Sequence, residues 1–377
     1  MRIRAVGLVL LLVLGVVSPA SAAEDVVIDG QLGPGALYRL VRPANWNGTL
    51  LLYAHGYVPG DAPVALPAEA ARFVALLAPR GFALAFSSYS ENGWAVKDGV
   101  QRTKQLLGIF ADKLGTPSRV YMGGASMGGL IAIELIEKYP GEFAGALAAC
   151  AASGGSRAQF DYLGNTRALF DLFYPGLLPG NAGAVPAGLN TTTQVFLPAA
   201  AAMQANPSGA LTIAAIAQTP IPFANGAELV GSVATAVAGH AATASDLVTK
   251  LPSSQFFENS DVIYTSALLP PQTLAVINAG VGRFDASQSA LNYLEHNYQP
   301  SGDLRMPMVM LSNSRDPVVP GFHRAAYSGL VAAAGHSDLL VQRTVNRYGH
   351  CEFTDAEIAS AFFDLVVWVE FGIKPTP

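Results

Sequence analysis

Gly124-Ala125-Ser126-Met127-Gly128 holds one serine between small residues, with an apolar, β-rich run before it (118–122) and a helical pattern after it (130–139). A sharp strand-to-helix turn of this kind lifts the hydroxyl clear of a sheet edge. The next backbone N–H and the new helix's N-terminal dipole then face the spot where an oxyanion would form. Serine is a weak nucleophile and needs a base, and the base needs an orienting acid. Where a strand–turn–helix serine does this work, the acid and then the histidine follow it in the chain. Asp316 stands just past an apolar strand run (308–311), in Ser314-Arg315-Asp316-Pro317; Asp303 lies before that run, at the wrong end. His350 follows the last strand run and precedes a capped final helix. The remaining histidines suit the role less well. His240 and His296 fall in a segment of different composition, His323 and His336 lie on or beside a helix, and His55 precedes the serine. His55-Gly56-Tyr57 ends an early strand, so the N–H groups of Tyr57 and Met127 are candidates for a pair of oxyanion donors. Tyr89 and Trp94, after another strand at the same edge, are candidates for lining a substrate entrance, with simple loop packing as the alternative.

These side chains need a scaffold that brings distant strand ends together. Over 36–155, apolar runs alternate with helical patterns: strands at 48–54, 82–86, 118–122 and 144–152, helices at 67–77, 100–114 and 130–139. Strands apolar on both faces and separated by helices indicate an α/β chain with a mostly parallel sheet covered on both sides. From 156 to 303 the rhythm changes. That stretch is rich in Ala, Gly, Pro and Thr, with short helical patterns at 197–204, 229–240, 272–279 and 287–297. It reads as a helical cap or lid inserted into a core made of 24–155 and 304–377. Alternation then returns with a strand at 308–311, a helix at 322–334 and a strand at 339–345. The last helix opens on the capping-box sequence Thr354-Asp355-Ala356-Glu357.

Composition narrows the classes. The chain has 377 residues, 51% hydrophobic and 13% charged, which is far from disorder and enough for a large core. Arg2 and Arg4, an uncharged apolar run at 5–17 and Ala20-Ser21-Ala22 form an export-signal pattern cleaved near Ala22 or Ala23. The apolar run is shorter than the ~20 residues of a membrane span. A secreted or periplasmic protein without stable membrane insertion is therefore expected. The net charge is −5, and losing the two arginines makes it more negative. A mildly acidic exported chain without basic clusters is a poor partner for nucleic acid. Two cysteines, Cys150 and Cys351, suggest one disulfide in an oxidising compartment and argue against structural zinc.

In order and spacing, over roughly 36–155 and 304–372, the chain resembles the α/β-hydrolase superfamily. The resemblance implies an α/β-hydrolase fold in which Ser126 is the nucleophile, Asp316 the acid and His350 the base. Tyr57 and Met127 would supply the oxyanion hole, and 156–303 the cap. The tannase and feruloyl-esterase group also has a cysteine after its histidine, bridged to one immediately before the serine; here that position is Ala125, so the pattern is broken. Cys150 ends the strand after the serine's strand, which should lie beside the histidine loop. A Cys150–Cys351 disulfide is therefore expected, with two buried thiols as the alternative. The implied activity is a secreted carboxylesterase or lipase-like enzyme acting on a small-molecule or polymeric ester, with no metal or organic cofactor. A peptidase of the same fold and a catalytically silent binding protein are the rivals. Oligomeric state is not legible in the sequence.

Overall fold

The structure, a computed structural model, describes residues 24–220, 222–250 and 255–377. The expected export signal lies outside these residues. The core is one eight-stranded sheet: β1 (Val26–Leu32), β2 (Ala36–Arg42), β3 (Thr49–Ala54), β4 (Ala83–Ser87), β5 (Arg119–Ala125), β6 (Gly145–Ala149), β7 (Met308–Arg315) and β8 (Leu340–Tyr348). Spatial order is β1-β2-β4-β3-β5-β6-β7-β8. β1 and β2 pair antiparallel, β2 runs antiparallel to β4, and all pairings from β4 to β8 are parallel. β3, β4 and β6 are buried almost throughout, as their continuous apolar sequences require.

Alternate residues of each strand face opposite layers. Leu50, Leu52, Met122, Ala146 and Met308 pack toward α2 (Val96–Leu114) and α3 (Met127–Lys138). Leu51, Tyr121, Leu147, Val309 and Val341 face the other layer, with α1 (Ala70–Leu77) and α11 (Asp355–Phe371). The expected capping box is present on α11: Glu357 N–H donates to Thr354 Oγ1 at 3.2 Å and Thr354 N–H to Glu357 Oε2 at 2.7 Å.

The helical segment between β6 and β7 comprises α4 (Gly155–Phe173), a π-helical turn (Thr192–Phe196), α5 (Leu197–Ala205), α6 (Pro207–Ile216), α7 (Gly226–Lys250), α8 (Pro271–Gly280) and α9 (Gln288–His296). α10 (Gly321–Ala333) then links β7 to β8. Glu137 on α3 ties this segment back to the sheet layer. Its carboxylate accepts from Tyr298, Ser301, Gly302 and Tyr327.

The chain leaves β3 for β4 on one side and then returns to β5 on the other. That reversal opens a crevice at the carboxyl ends of β3 and β5, where sheets of this kind bind ligands. The Tyr57 loop follows β3, and Ser126 follows β5.

Candidate active site

β5 ends at Ala125 and α3 begins at Met127, so Ser126 alone makes the turn, at φ 58°. This left-handed backbone is uncommon for a non-glycine residue and costs on the order of 1 kcal/mol or more. Surrounding hydrogen bonds hold it: Ser126 N–H donates to Ala149 O at 2.9 Å, and Gly129 N–H to Ser126 O at 2.9 Å. The flanking glycines are required by close approach. A Cβ on Gly128 would collide with the Ala54 carbonyl, and one on Gly124 with the Gly128 carbonyl.

Ser126 Oγ lies 2.8 Å from His350 Nε2, and His350 Nδ1 lies 2.7 Å from Asp316 Oδ2. Asp316 is 2% exposed, and its Oδ1 accepts the N–H groups of Val318 and Val319, both at 2.9 Å. A carboxylate can only accept, so Nδ1 carries the proton and Nε2 is left to accept from the serine hydroxyl. The three residues that the sequence singled out thus meet at one rim from loops after β5, β7 and β8.

Three ties position His350. Gly349 N–H donates to Arg315 O at 3.0 Å, joining the histidine loop to the acid's strand. Asn313, buried in β7, exchanges two hydrogen bonds with the Glu352 backbone, at 2.9 and 3.0 Å. Cys351 is disulfide-bonded to Cys150, as expected, with Cα atoms 5.3 Å apart. Asn313 escaped the sequence reading. It stands past the apolar run 308–311, among Ser312, Ser314 and Arg315, where nothing in the sequence sets it apart.

The Gly56–Tyr57 turn comes close to the serine: a Cβ on Gly56 would lie 3.2 Å from Ser126 Cβ. Tyr89 does not line the entrance that its sequence position suggested. It is fully buried, its ring stacked on His55 at 3.8 Å and its hydroxyl donating to His55 O at 3.0 Å. The chain turns through Tyr89 at φ 58°, and the ring props the Tyr57 loop from within the protein. Trp94 does reach the cleft, although it is only 4% exposed. Its indole N–H donates to Ser156 Oγ at 2.8 Å and its backbone N–H to Asp246 Oδ2 at 3.0 Å.

Ser126 opens into a cleft of about 490 Å³ between the sheet's carboxyl edge and the helical segment. Trp94, Leu163, Phe196, Ala238, Val318 and Val319 give it a mostly apolar wall. A second cleft of about 430 Å³ adjoins it and shares Tyr57, Thr191, Thr192 and Ala242. His323, near the site, is fully buried and accepts Gly154 N–H at Nδ1 (3.0 Å). Burial, with the nearby His350, lowers its pKa to about 3, so it stays neutral. Cys150, Cys351 and His350 lie close together, but both sulfurs are committed to the disulfide and the imidazole bridges Ser126 and Asp316, so the trio does not suit a metal ion.

No family model matches the chain. It is 25% identical to an o-phthalyl amidase of Xanthobacter agilis, over 92% of this chain and 88% of that protein. An esterase from Aspergillus oryzae superposes with a TM-score of 0.52 at 14% identity, covering 93% of this chain and 80% of that one. The feruloyl esterase B of the same organism gives a TM-score of 0.48 at 15% identity, covering 93% and 81%. Strand order, helices on both faces of the sheet and the likeness to the first of these esterases identify the chain as having the α/β-hydrolase fold.

Proposed function

We propose that the protein is a serine hydrolase of carboxylic esters, working through an acyl-enzyme. The observation that carries this reading is the continuous hydrogen-bonded chain Ser126–His350–Asp316 at the floor of an apolar cleft. Ser126 Oγ attacks the carbonyl carbon while His350 Nε2 takes its proton. Asp316 holds the imidazole and stabilises its positive charge. The oxyanion is received by the N–H groups of Tyr57, in the loop after β3, and of Met127, the first residue of α3. His350 returns the proton to the leaving alcohol. It then deprotonates water, which cleaves the acyl-serine ester and releases the acid.

The helical segment acts as a cap over the serine, since its residues form much of the cleft wall. Export to an oxidising compartment is supported by the disulfide. No helix among the described residues is long and apolar enough to cross a membrane. A second reading, amide hydrolysis by the same groups, is favoured by the likeness to an amidase along most of the chain.

Labelling with a fluorophosphonate, followed by peptide mapping, tests the nucleophile. Turnover of p-nitrophenyl esters and of acyl anilides tests the bond. Label on Ser126 with ester turnover supports the first reading, and anilide turnover alone moves the assignment to amides or peptides. Folded protein that takes no label would be a silent binding protein instead.

A further inference from the structure

Gln159, on the second turn of α4, is 3% exposed and lines the cleft above Ser126. Its Nε2 donates to Val318 O at 3.0 Å. A backbone carbonyl can only accept, so this contact fixes which end of the amide is which. The other end, Oε1, is buried and has no hydrogen-bond partner. A buried acceptor left empty is costly, and native proteins rarely tolerate one without a use. Thr243, also on the wall, spends its hydroxyl hydrogen within α7, toward Gly239 O and His240 O. The adjoining cleft adds the carboxylates of Asp61 and Asp246. Among the described residues, neither cleft is lined by a Lys or Arg side chain. Asp246 pairs with Lys250 Nζ at 3.4 Å, and Thr191, Thr192 and Thr235 add hydroxyls, but no cationic side chain among the described residues lines the walls to neutralise an anion.

We propose that the compound cleaved at Ser126 carries a hydrogen-bond donor, an amide N–H or a hydroxyl, that pairs with Gln159 Oε1. Its part lodged in the cleft is otherwise apolar and bears no carboxylate. This rests on the hydrolase reading above. It deepens that reading by making Gln159 a specificity determinant. A substrate with the donor satisfies the orphaned oxygen, whereas an analogue lacking it leaves that oxygen desolvated and unpaired. Sites of that kind discriminate far more sharply than apolar pockets do.

The test uses the p-nitrophenyl esters of N-acetylglycine, N-acetyl-β-alanine and N-acetyl-4-aminobutyrate, each against its N-methyl counterpart. The three lengths scan the position of the donor. In the wild type, at least one pair should favour the N–H compound in kcat/KM by about tenfold or more. In Gln159→Met, with fluorophosphonate labelling retained, that ratio should fall to about two or less. p-Nitrophenyl hydrogen succinate should be cleaved about tenfold or more slowly than p-nitrophenyl butyrate. Three flat ratios in the wild type overturn the donor assignment whether or not the variant folds, and so does a preference that survives in Gln159→Met. A succinate ester cleaved as well as the butyrate overturns the exclusion of carboxylates. If Ser126 takes no label and no ester turns over, the hydrolase reading itself fails; label with flat ratios sinks only the inference.

Discussion

Asp316 divides its two carboxylate oxygens between the Val318 and Val319 amides and the His350 imidazole. Asp316→Asn can keep the backbone contacts, but a carboxamide cannot stabilise an imidazolium and can present its NH₂ to Nδ1. We expect kcat to fall about 10³- to 10⁴-fold with Tm nearly unchanged, read from ester turnover and thermal melts. Ser126→Ala should remove at least as much activity and all fluorophosphonate labelling. Gly128→Ala should behave differently, because the added methyl meets the Ala54 carbonyl. Loss of soluble protein, or of label in whatever folds, is the expected outcome. Ser126, Asp316 and His350 could be read from the sequence because each follows a recognisable strand and their chain order is constrained. Asn313 and Gln159 could not. Their worth depends on Glu352 and Val318, which are distant in sequence, and a lone amide does not announce its partner. For Tyr89 the sequence leaves entrance lining and loop packing both open, because strand-end position gives the edge but not the direction of the ring.

At the scale of elements, α7 joins the helical segment to the crevice. Asp246 Oδ2 accepts Trp94 N–H at 3.0 Å, and Gly93 N–H donates to Val58 O at 2.8 Å, one residue past Tyr57. Lys250, one turn further along α7, donates to Asn92 O at 2.8 Å. The loops after β3 and β4 are thus fastened to one helix of the segment between β6 and β7. Asp246→Ala should loosen the Tyr57 loop and lower kcat/KM by about tenfold, whereas Asp246→Asn, which keeps an acceptor, should retain most of it; steady-state kinetics on both variants is the check. The sequence pattern for α7 stopped at His240, but the helix runs to Lys250, so the turn carrying Asp246 was missed. Ala, Thr and Ser there give no clear apolar stripe. α6 was missed for a related reason: its run of small and apolar residues has no polar face to set a period. β1 and β2 are hard to see as a pair because β1 is an edge strand: its burial alternates residue by residue, but an exposed Val27 and an inward Gly30 blur that alternation in the sequence. The central strands were legible because burial on both faces leaves unbroken apolar runs.

For the whole molecule, two buried histidines contribute to the acid response. Burial lowers the pKa of His323 to about 3, with His350 adding to the effect, and does the same to His240, with Arg167 adding to it. Both are neutral when folded and regain an ordinary value near 6.5 when unfolded. As pH falls through 6.5 the unfolded chain takes up protons first, so the stabilisation is complete above that value and is lost progressively toward pH 3. Each contributes a slope of up to about 1.4 kcal/mol per pH unit. Urea midpoints should drop between pH 7 and pH 4, and His323→Gln should flatten the dependence.

The Cys150–Cys351 bond spans 201 positions and encloses the entire helical segment, Asp316 and His350 within a covalent ring. Closing a ring of that size stabilises by about 5 kcal/mol in the chain-entropy view. A protease that nicks an exposed stretch such as 186–190 would cut the polypeptide in two without freeing either piece. The fragment bearing Ser126 would stay shackled to the one bearing His350. Nicked material should therefore migrate as a single band until a reductant is added, and should go on hydrolysing ester until then.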